Sequence, residues 1–455
     1  MADPETGRKK GCEESKAVAC MEARMDNRMD NRMETHVKNH KKESIDTQIE
    51  RRILVLGKNY STPLGVIRSL GKTGYTVEML YISKKVAEAQ ILEKCKYLSR
   101  LVIVNEENDR KVMEALKADF PARSVEYLLF PTDDYSASLI DRYREELRDY
   151  RMPHVIGDSV TRMMDKSVQN ELATEVGFRT PREWIVSLEK EPVMIPEGIP
   201  YPCFIKPMVS AKGGKLGIRK CENREELEKG LAYMREKEPR RSILIQEFLE
   251  IRREYTIGGI ADDQKIYIPA LIRKKVIAQY NRGVTLCGVL TDNRKIGKCY
   301  DMILEYLRRV RYVGMFDLEI LETADGYYFG ELNLRCGGPS YGYFLGGVNL
   351  PKMTAELLFD GEVQMGTESA VMGTTFLNNK VVWEDYANLF FNKKRLKNLY
   401  QQFPQTLLSD EEDPEPEKVF NRIMPGVYRK KRTRLRIKKF VPEKALQAYR
   451  NRSKK

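Results

Sequence analysis

Histidine and paired cysteines are scarce in this sequence. Its 455 residues include three histidines, and two of them, His36 and His40, stand in a polar N-terminal stretch. Eight cysteines are scattered along the chain without a Cys-x-x-Cys pair. Zinc sites of the usual kind and Ser/His or Cys/His catalysis are therefore nearly excluded. Any catalytic chemistry must depend on carboxylates, lysine, arginine and a bound metal ion.

The chain also lacks a long apolar run. No stretch of about 18 apolar residues could span a membrane, and the charged N-terminus has no apolar core of the kind that signal peptides carry. We therefore expect a cytoplasmic protein with reduced thiols. A chain of 455 residues has room for two or three domains, each with its own core.

Excess positive charge is confined to the C-terminal end. Residues 421–455 contain fourteen Lys and Arg against the single acid Glu443, which equals the net charge of +13 of the whole chain. Three interpretations are open: a solvated or self-docking tail paired with the acidic linker Asp410–Glu417, attraction to an anionic membrane surface, and nucleic-acid binding. We do not expect the third, because few aromatic residues besides Tyr428 adjoin the cluster.

The first region predicted to be ordered has the sequence pattern of a parallel sheet. Residues 1–50 are polar and lack apolar periodicity, which predicts a disordered leader. Helical patterns then alternate with short apolar runs, which predicts βαβ units. The runs are 52–57, 76–81, 101–104 and 127–131.

Two loops follow strands of this predicted sheet, Gly57–Thr62 and Pro131–Asp134. Ligands of open parallel sheets bind beyond the carboxyl ends of the strands, so these are candidate substrate loops. Ordinary turn chemistry is the alternative. The first strand is not followed by Gly-x-Gly-x-x-Gly, which argues against a dinucleotide site.

Lysines and glycines dominate the candidate phosphate-binding segments. Asp165-Lys166 opens a predicted helix that runs to Val176, and the strand Tyr201–Pro207 carries Lys206 near its end. Ser210–Gly217 follows. Glycines allow backbone N–H groups to approach phosphate oxygens, and lysines supply positive charge. The segment is not a Walker loop, and a simple turn is the alternative reading.

A further strand, Ser242–Leu249, offers hydrogen-bonding groups for a nucleotide. Gln246 and neighbouring backbone groups could bond a purine edge, and Glu254 could bind ribose hydroxyls. In isolation these residues would equally suit a polar surface.

The stretch Glu331-Leu-Asn-Leu-Arg335 is the most informative in the chain. Alternate side chains of a strand share a face, so Glu331, Asn333 and Arg335 should project together. The turn signal Thr323–Gly326 should fold Glu319 back beside them in a hairpin. Oxygen ligands without His or Cys suit Mg²⁺, and a solvated strand face is the alternative.

Taken in order, these motifs resemble the ATP-grasp superfamily over about residues 52–365, and most specifically over 158–340. The resemblance implies an α/β and α+β fold. It consists of an N-terminal parallel-sheet, Rossmann-like domain (51–157), an ATP-grasp module of two α+β subdomains (158–365) and a C-terminal extension with the basic tail (366–455). ATP would lie between the two subdomains.

The resemblance also implies roles for individual residues. Phosphates would be bound by Lys166 and Lys206 under a lid formed by Lys212, Gly213 and Gly214. Adenine would be bound by Gln246 and by the linker that continues through Glu247, Phe248 and Leu249, and ribose by Glu254. Two Mg²⁺ ions, with Mn²⁺ as an alternative, would be held by Glu319, Glu331 and Asn333. Further phosphate or substrate candidates are Arg273, Lys274 and Arg282.

Arg335, two residues after Asn333, looks like the biotin carboxylase and carbamoyl phosphate synthetase pattern. It is unlike the D-alanine:D-alanine ligase pattern, in which a serine-containing turn follows the asparagine. Gln246 stands where glutamate is common in the superfamily, but its amide oxygen can still accept from the adenine amine, so we expect ATP rather than GTP.

The resemblance implies a ligase that activates a small-molecule carboxylate as an acyl phosphate and joins it to an amine, with Arg335 as the catalytic cation. The layout resembles D-aspartate ligase and the ligases of polysaccharide clusters, which points to cell-wall or surface-polysaccharide synthesis. Two alternatives are a carboxyphosphate or carbamoyl-type ligase and a non-catalytic ATP-binding scaffold. An oligomer is compatible with the sequence.

Overall fold

The computed structural model describes residues 49–105, 107–123, 125–189, 192–207, 219–237, 242–280 and 283–440. The predicted leader lies outside these residues up to position 48, as do Lys212, Gly213, Gly214 and Arg282. The described residues from Glu50 onward belong to one compact unit.

The N-terminal sheet has four parallel strands in the order β3-β2-β1-β4. Along β1, Ile53 and Val55 enter one apolar core whereas Leu54 and Leu56 enter another, because alternate residues point to opposite faces. Both faces are therefore covered, as a parallel sheet requires, and the predicted βαβ arrangement is confirmed. The elements are β1 (Glu50–Gly57), α1 (Ser61–Gly71), β2 (Thr76–Ile82), α2 (Val86–Glu93), β3 (Leu98–Val104), α3 (Asp109–Asp119), β4 (Val125–Pro131) and α4 (Asp134–Arg142).

An antiparallel sheet of four strands follows, in the order β6-β9-β7-β8, and packs on a small apolar core of its own. The helix predicted to open at Asp165-Lys166 is present, and the Asp165 carboxylate caps it by accepting from the backbone N–H of Ser167. The elements are β5 (His154–Val155), α5 (Val160–Met163), α6 (Lys166–Glu175), β6 (Glu183–Ser187), β7 (Cys203–Pro207), β8 (Arg219–Cys221), α7 (Arg224–Lys237) and β9 (Ser242–Glu247).

The third sheet has eight strands, with a main path β15-β14-β10-β12-β13-β16. In it β10 separates β14 from β12, so side chains from three strands can meet over β10. The elements up to the predicted hairpin are β10 (Arg253–Ala261), β11 (Ile266–Tyr267), β12 (Leu271–Ile277), β13 (Thr285–Thr291), α8 (Lys298–Val310), β14 (Tyr312–Glu322) and β15 (Tyr327–Asn333). The combination of a parallel sheet with two other sheets confirms the expected α/β and α+β class.

The C-terminal segment packs into the same core as the N-terminal sheet. Its last helix buries Phe420, Met424, Tyr428 and Arg432, which recur at helical spacing. None of the helices in the described part of the chain is both long and apolar enough to cross a bilayer. The remaining elements are α9 (Tyr341–Leu345), α10 (Leu350–Asp360), β16 (Thr375–Leu377), α11 (Asn379–Ala387), α12 (Lys393–Gln402) and α13 (Glu415–Phe440).

The segment interpreted as an acidic linker has a different role. Asp413 forms an ion pair with Arg68 of α1 at 2.9 Å, and Asp410 pairs with Lys72 of the same region at 3.1 Å. These acids therefore attach the C-terminal segment to α1 instead of to the basic tail. The proposed pairing of linker and tail was wrong for these two residues, because a sequence does not show which distant cations a buried carboxylate will meet.

Candidate active site

A cleft of about 420 Å³ lies between the sheet of β6–β9 and the larger sheet. Its volume is in the range of small-molecule sites. It contains four predicted ATP ligands and two predicted metal ligands, although these residues come from six different elements. They are Lys166, Lys206, Gln246, Glu254, Glu319 and Glu331.

Lys206 and Gln246 meet on neighbouring strands. β7 and β9 pair so that Phe204 faces Gln246 across the ladder, which leaves Lys206 two residues further along. The Lys206 Nζ donates to Gln246 Oε1 at 2.9 Å, and the Gln246 amide donates to Glu183. The amide is thus oriented by a cation on one side and a carboxylate on the other. Its oxygen retains a second lone pair with which it could accept from an adenine amine.

Glu183 is a cleft residue that sequence reasoning missed. It starts β6, accepts from the Asn170 side chain at 3.3 Å, and lies 3.9 Å from the Lys206 ammonium. A glutamate at the start of a short strand has no distinctive spacing. Its position is set only by the pairing of β6 with β9.

The linker after Gln246 turns away from the cleft lining. The Glu247 carboxylate accepts from the Arg182 guanidinium at 2.7 Å, and the Phe248 ring packs 5.5 Å from the ring of Phe204. Leu249 follows in an irregular stretch. The side chains of Glu247, Phe248 and Leu249 are not among those that line the cleft, so a contact with adenine would have to come from the backbone.

Glu254, Lys274 and Glu319 form a buried charge cluster. The Lys274 side chain has no exposed surface and donates to Glu254 at 3.2 Å, to Glu319 at 3.0 Å and to the Gly283 carbonyl. Burial lowers the pKa of Lys274, but the two carboxylates outweigh it and raise the pKa above its usual value. Lys274 therefore stays charged.

This cluster follows from the strand order. Thr256 of β10 pairs with Ile272 of β12 on one side and with Glu319 of β14 on the other. Lys274 thereby reaches across β10 to the predicted metal ligand. Its neighbour Arg273 occupies the opposite face of β12 and is not among the cleft-lining residues.

The predicted hairpin of β14 and β15 is confirmed. Glu319 pairs with Glu331, and the Thr323 N–H donates to the Gly326 carbonyl at 2.9 Å. A bulge at Gly330 brings that residue so close to β14 that a Cβ would lie 2.8 Å from the Glu319 carbonyl oxygen. Glycine at this position allows the two glutamates to sit opposite each other. The Lys166 ammonium lies 3.9 Å from Glu331.

Asp317 is a second residue that sequence reasoning missed. It pairs with Asn333, shares a strand face with Glu319, and is 4% exposed. Its Oδ2 has no hydrogen-bond partner, and burial raises the pKa of Asp317 to about 7 against the opposing charge of Arg335. Asp317 stands two residues before Glu319, and alternate residues of a strand share a face, so this spacing was the signal that could have found it.

Arg335 connects the hairpin to the N-terminal sheet. Its guanidinium donates to Asn333 Oδ1 at 3.0 Å and to Asp134 Oδ1 at 2.8 Å. Asp134 begins α4 beyond the carboxyl end of β4, and the adjacent Asp133 accepts from the Lys58 N–H at 2.9 Å. The structure thus brings both candidate substrate loops and Arg335 together at one edge of the sheet.

The donor atoms of the hairpin fit Mg²⁺ in their chemistry. Asp317, Glu319, Glu331 and Asn333 supply only oxygen donors, and the orphaned Oδ2 of Asp317 is a buried acceptor without a protein partner. Within the described ranges, no three His, Cys, Asp or Glu side chains are grouped to hold a metal by themselves. This is consistent with Mg²⁺, which is usually bound through one or two carboxylates together with substrate phosphates.

Comparison with known proteins places this cleft in context. No family model matches the chain. It is 27% identical over 197 residues to the D-alanine–D-alanine ligase of Geobacillus thermodenitrificans, which covers 40% of this chain and 53% of that protein. It is 22% identical over 330 residues to the D-aspartate ligase of Enterococcus faecium, which covers 67% of this chain and 75% of that ligase. The chain thus matches about half the length of the first relative.

A solved structure agrees in fold. The N5-carboxyaminoimidazole synthetase of Staphylococcus aureus, complexed with ADP, superposes with a TM-score of 0.57 at 13% identity. The superposition covers 77% of this chain and 86% of that one.

These relatives and the structural neighbour are ATP-grasp ligases, and the chain has their fold. The resemblance seen in the sequence is therefore confirmed: the chain is similar in sequence and in fold to ATP-grasp ligases. Such ligases are enzymes that form carbon–nitrogen bonds and use ATP with Mg²⁺.

Proposed function

We propose that this protein is a Mg²⁺-dependent ligase that activates a small-molecule carboxylate with ATP as an acyl phosphate and joins it to an amine. ADP and phosphate would be released. The observation that carries the proposal is the convergence, in one cleft, of the lysines Lys166 and Lys206 with the carboxylates Glu319 and Glu331. Beneath the cleft lining, the buried Lys274 pairs with Glu319 at 3.0 Å. Phosphoryl transfer requires cations that bind the phosphates and oxygen ligands that bind a divalent metal.

The cations of the cleft would hold the phosphates. Lys206 lies at the end of β7 and Lys166 at the start of α6, so the nucleotide phosphates would lie between the two sheets. Lys274 already neutralises two carboxylates, and it could exchange one of them for a phosphate oxygen. Lys212, Gly213 and Gly214 remain proposed as the lid, and Arg282 as a phosphate or substrate contact.

The hairpin would hold the metal. Glu319, Glu331 and Asn333 are the proposed ligands. Bound Mg²⁺ would neutralise charge on the phosphates. Gln246, Glu254 and the backbone after β9 would hold the nucleoside.

Arg335 would position the reacting carboxylate. It is the cation that joins the hairpin to the loop Pro131–Asp134, and its side chain is 15% exposed. Its planar fork could bind a carboxylate with two parallel hydrogen bonds, and it could then stabilise the developing oxyanion. The amine would enter from the edge of the parallel sheet, where the loop Gly57–Thr62 lies.

The biological setting is also a proposal. The D-aspartate ligase matches a large share of the chain, which favours a role in cell-wall or surface-polysaccharide synthesis. We propose residues 51–157, 158–365 and 366–455 as the corresponding domains, with amino acids and sugar acids as the first substrates to examine.

The test is hydroxamate formation. The full chain is incubated with Mg-ATP, hydroxylamine as a surrogate amine, and each acid in turn. We expect ADP release and a hydroxamate with one acid, and loss of both in Glu331→Gln while ATP still binds. Asp325→Asn, an exposed carboxylate-to-amide change in the same hairpin, is the matched control and should retain activity. Full activity of Glu331→Gln with the true substrates would overturn the site assignment.

A further inference from the structure

One face of α13 is basic and exposed. The helix buries Phe420, Met424, Tyr428 and Arg432, and the Arg432 guanidinium donates to the Phe391 carbonyl at 3.0 Å. The helix is thereby fixed to the body of the protein. Its opposite side presents Lys430, Lys431 and Arg434 to solvent.

Positive charge from a second element adjoins this face. α13 packs against α2, and the residues that lead into α2 include the exposed Lys84 and Lys85. Burial lowers the pKa of Lys431, and so do the like charges of Lys85 and Lys380. The carboxylate of Glu384 raises this pKa, but by less than the other effects lower it. Lys85 pairs with Glu88 at 3.1 Å, and its charge still acts on Lys431 of the neighbouring helix.

Exposed apolar side chains lie among these cations. Val86 is 62% exposed at the start of α2, and Val427 and Ile437 are each 45% exposed on the same side of α13 as Lys430 and Arg434. Phe390 is 48% exposed and lies 6.5 Å from the ring of Tyr280, over which Lys431 sits at 4.8 Å. We name this surface the α13 face; it comprises Lys84, Lys85, Val86, Tyr280, Phe390, Val427, Lys430, Lys431, Arg434 and Ile437.

We propose that the α13 face binds the surface of a membrane that contains anionic phospholipids. The cations match a negative headgroup layer, and the chain outside the described residues continues this charge with Lys and Arg to its last residue. Exposed valine, isoleucine and phenylalanine beside the cations can enter the boundary between headgroups and acyl chains. Nucleic acid would account for the cations but not for exposed aliphatic groups, because base stacking requires rings.

The test is binding of the full chain to vesicles. Phosphatidylcholine vesicles with and without phosphatidylglycerol are sedimented with the protein over a range of salt. We expect binding only to the anionic vesicles, weakened by salt. Lys430→Glu/Lys431→Glu/Arg434→Glu should weaken it about 100-fold.

The matched control carries the same charge change elsewhere. Arg110, Arg294 and Arg308 have side chains 87%, 90% and 61% exposed on other elements. The variant Arg110→Glu/Arg294→Glu/Arg308→Glu should bind anionic vesicles within a few-fold of the unmodified chain. Equal loss in both triple variants would mean attraction by net charge alone and would overturn the proposal.

Substitutions that leave the net charge unchanged distinguish binding to lipid from binding to other polyanions. Val86→Ser/Phe390→Ser keeps every charge, and we expect it to weaken vesicle binding about tenfold. Duplex DNA is the comparison ligand, followed by fluorescence anisotropy. If the chain bound DNA more tightly than anionic vesicles, the assignment of a membrane surface would be contradicted. The same would follow if Val86→Ser/Phe390→Ser bound vesicles as tightly as the unmodified chain.

Discussion

Arg68 and Lys274 are both cations whose side chains have no exposed surface, but their partners differ. Arg68 donates to the Asp413 carboxylate at 2.9 Å and to the carbonyls of Leu408 and Asp413 at 2.7 Å. All its partners belong to one short segment. Lys274 donates to two glutamates on different strands, and both glutamates line the cleft.

The difference separates a structural cation from a functional one. All three guanidinium nitrogens of Arg68 donate to the segment Leu408–Asp413, so this cation holds that segment against α1. The partners of Lys274 face a cavity, so a ligand phosphate could replace either of them. Burial alone does not distinguish the two roles, whereas the position of the partners does.

Loss of Arg68 should have the largest effect on stability. Arg68→Met leaves the Asp413 carboxylate buried without its cation, and we expect a loss of about 3–5 kcal/mol in the free energy of unfolding. Urea denaturation measures it. Arg110→Met, an exposed control, should change stability by less than about 0.5 kcal/mol. If Arg68→Met were as stable as the control, this ion pair would not hold the C-terminal segment.

Loss of Lys274 should act on turnover. Lys274→Met removes the cation between Glu254 and Glu319, and we expect the rate of ADP release to fall about 100-fold or more. Lys275→Met, a change at the exposed neighbour of Lys274 in β12, should keep nearly full activity. In the double variant Lys274→Met/Glu254→Gln, reduced repulsion should restore stability but not turnover. Recovery of turnover as well would make Lys274 a structural residue like Arg68.

Asp385 tests whether a C-terminal residue can shape the cleft. Its two carboxylate oxygens accept from the backbone N–H groups of Gln279 and Tyr280, each at 2.8 Å, and Gln279 lines the cleft. Asp385→Asn has one acceptor oxygen instead of two, so we expect the KM for ATP to rise about tenfold with little change in kcat. Asp263→Asn, in a surface ion pair with Arg311, is the control. Unchanged KM in Asp385→Asn would show that the loop keeps its position without this support.

The smallest effect concerns the neighbours of Arg68. Burial tends to raise the pKa of Asp410, but hydrogen bonds from Lys72 and Tyr341 outweigh it and hold that pKa below its usual range. A lowered pKa in the folded state contributes stability above the unfolded value, and this is lost as the pH falls through the folded value. We expect Asp410→Asn to cost about 1 kcal/mol at neutral pH and progressively less below about pH 4. If the stability difference between Asp410→Asn and the unmodified chain did not depend on pH, the lowered pKa of Asp410 would be contradicted.

Local patterns predicted much of this structure. The apolar run 52–57 lies within β1, and 76–81 lies within β2, because consecutive buried residues in short runs are typical of parallel strands. The period of two along β15 correctly predicted that Glu331 faces the cleft and that Leu332 and Leu334 are buried. Asn333 and Arg335 are not among the cleft-lining residues. Both successes depend on neighbours within one element.

The residues missed depend on distant pairing. Glu183 enters the cleft through the pairing of β6 with β9. Lys274 was a phosphate or substrate candidate, but its contact with Glu319 across an intervening strand had no signal in the sequence. Arg68 and Asp413 lie at opposite ends of the chain, and no spacing rule connects them. Asp317 is different, since its spacing of two residues from Glu319 could have identified it.

The most direct measurement of acyl-phosphate chemistry is oxygen transfer. The acid identified by hydroxamate formation is labelled with ¹⁸O in its carboxylate and incubated with Mg-ATP, the amine and the full chain. If the cleft activates the carboxylate as proposed, one ¹⁸O atom will appear in each phosphate released, and Glu331→Gln will release none. Unlabelled phosphate at full turnover would mean that the carboxylate oxygen never bonds to phosphorus, which would contradict the proposed reaction.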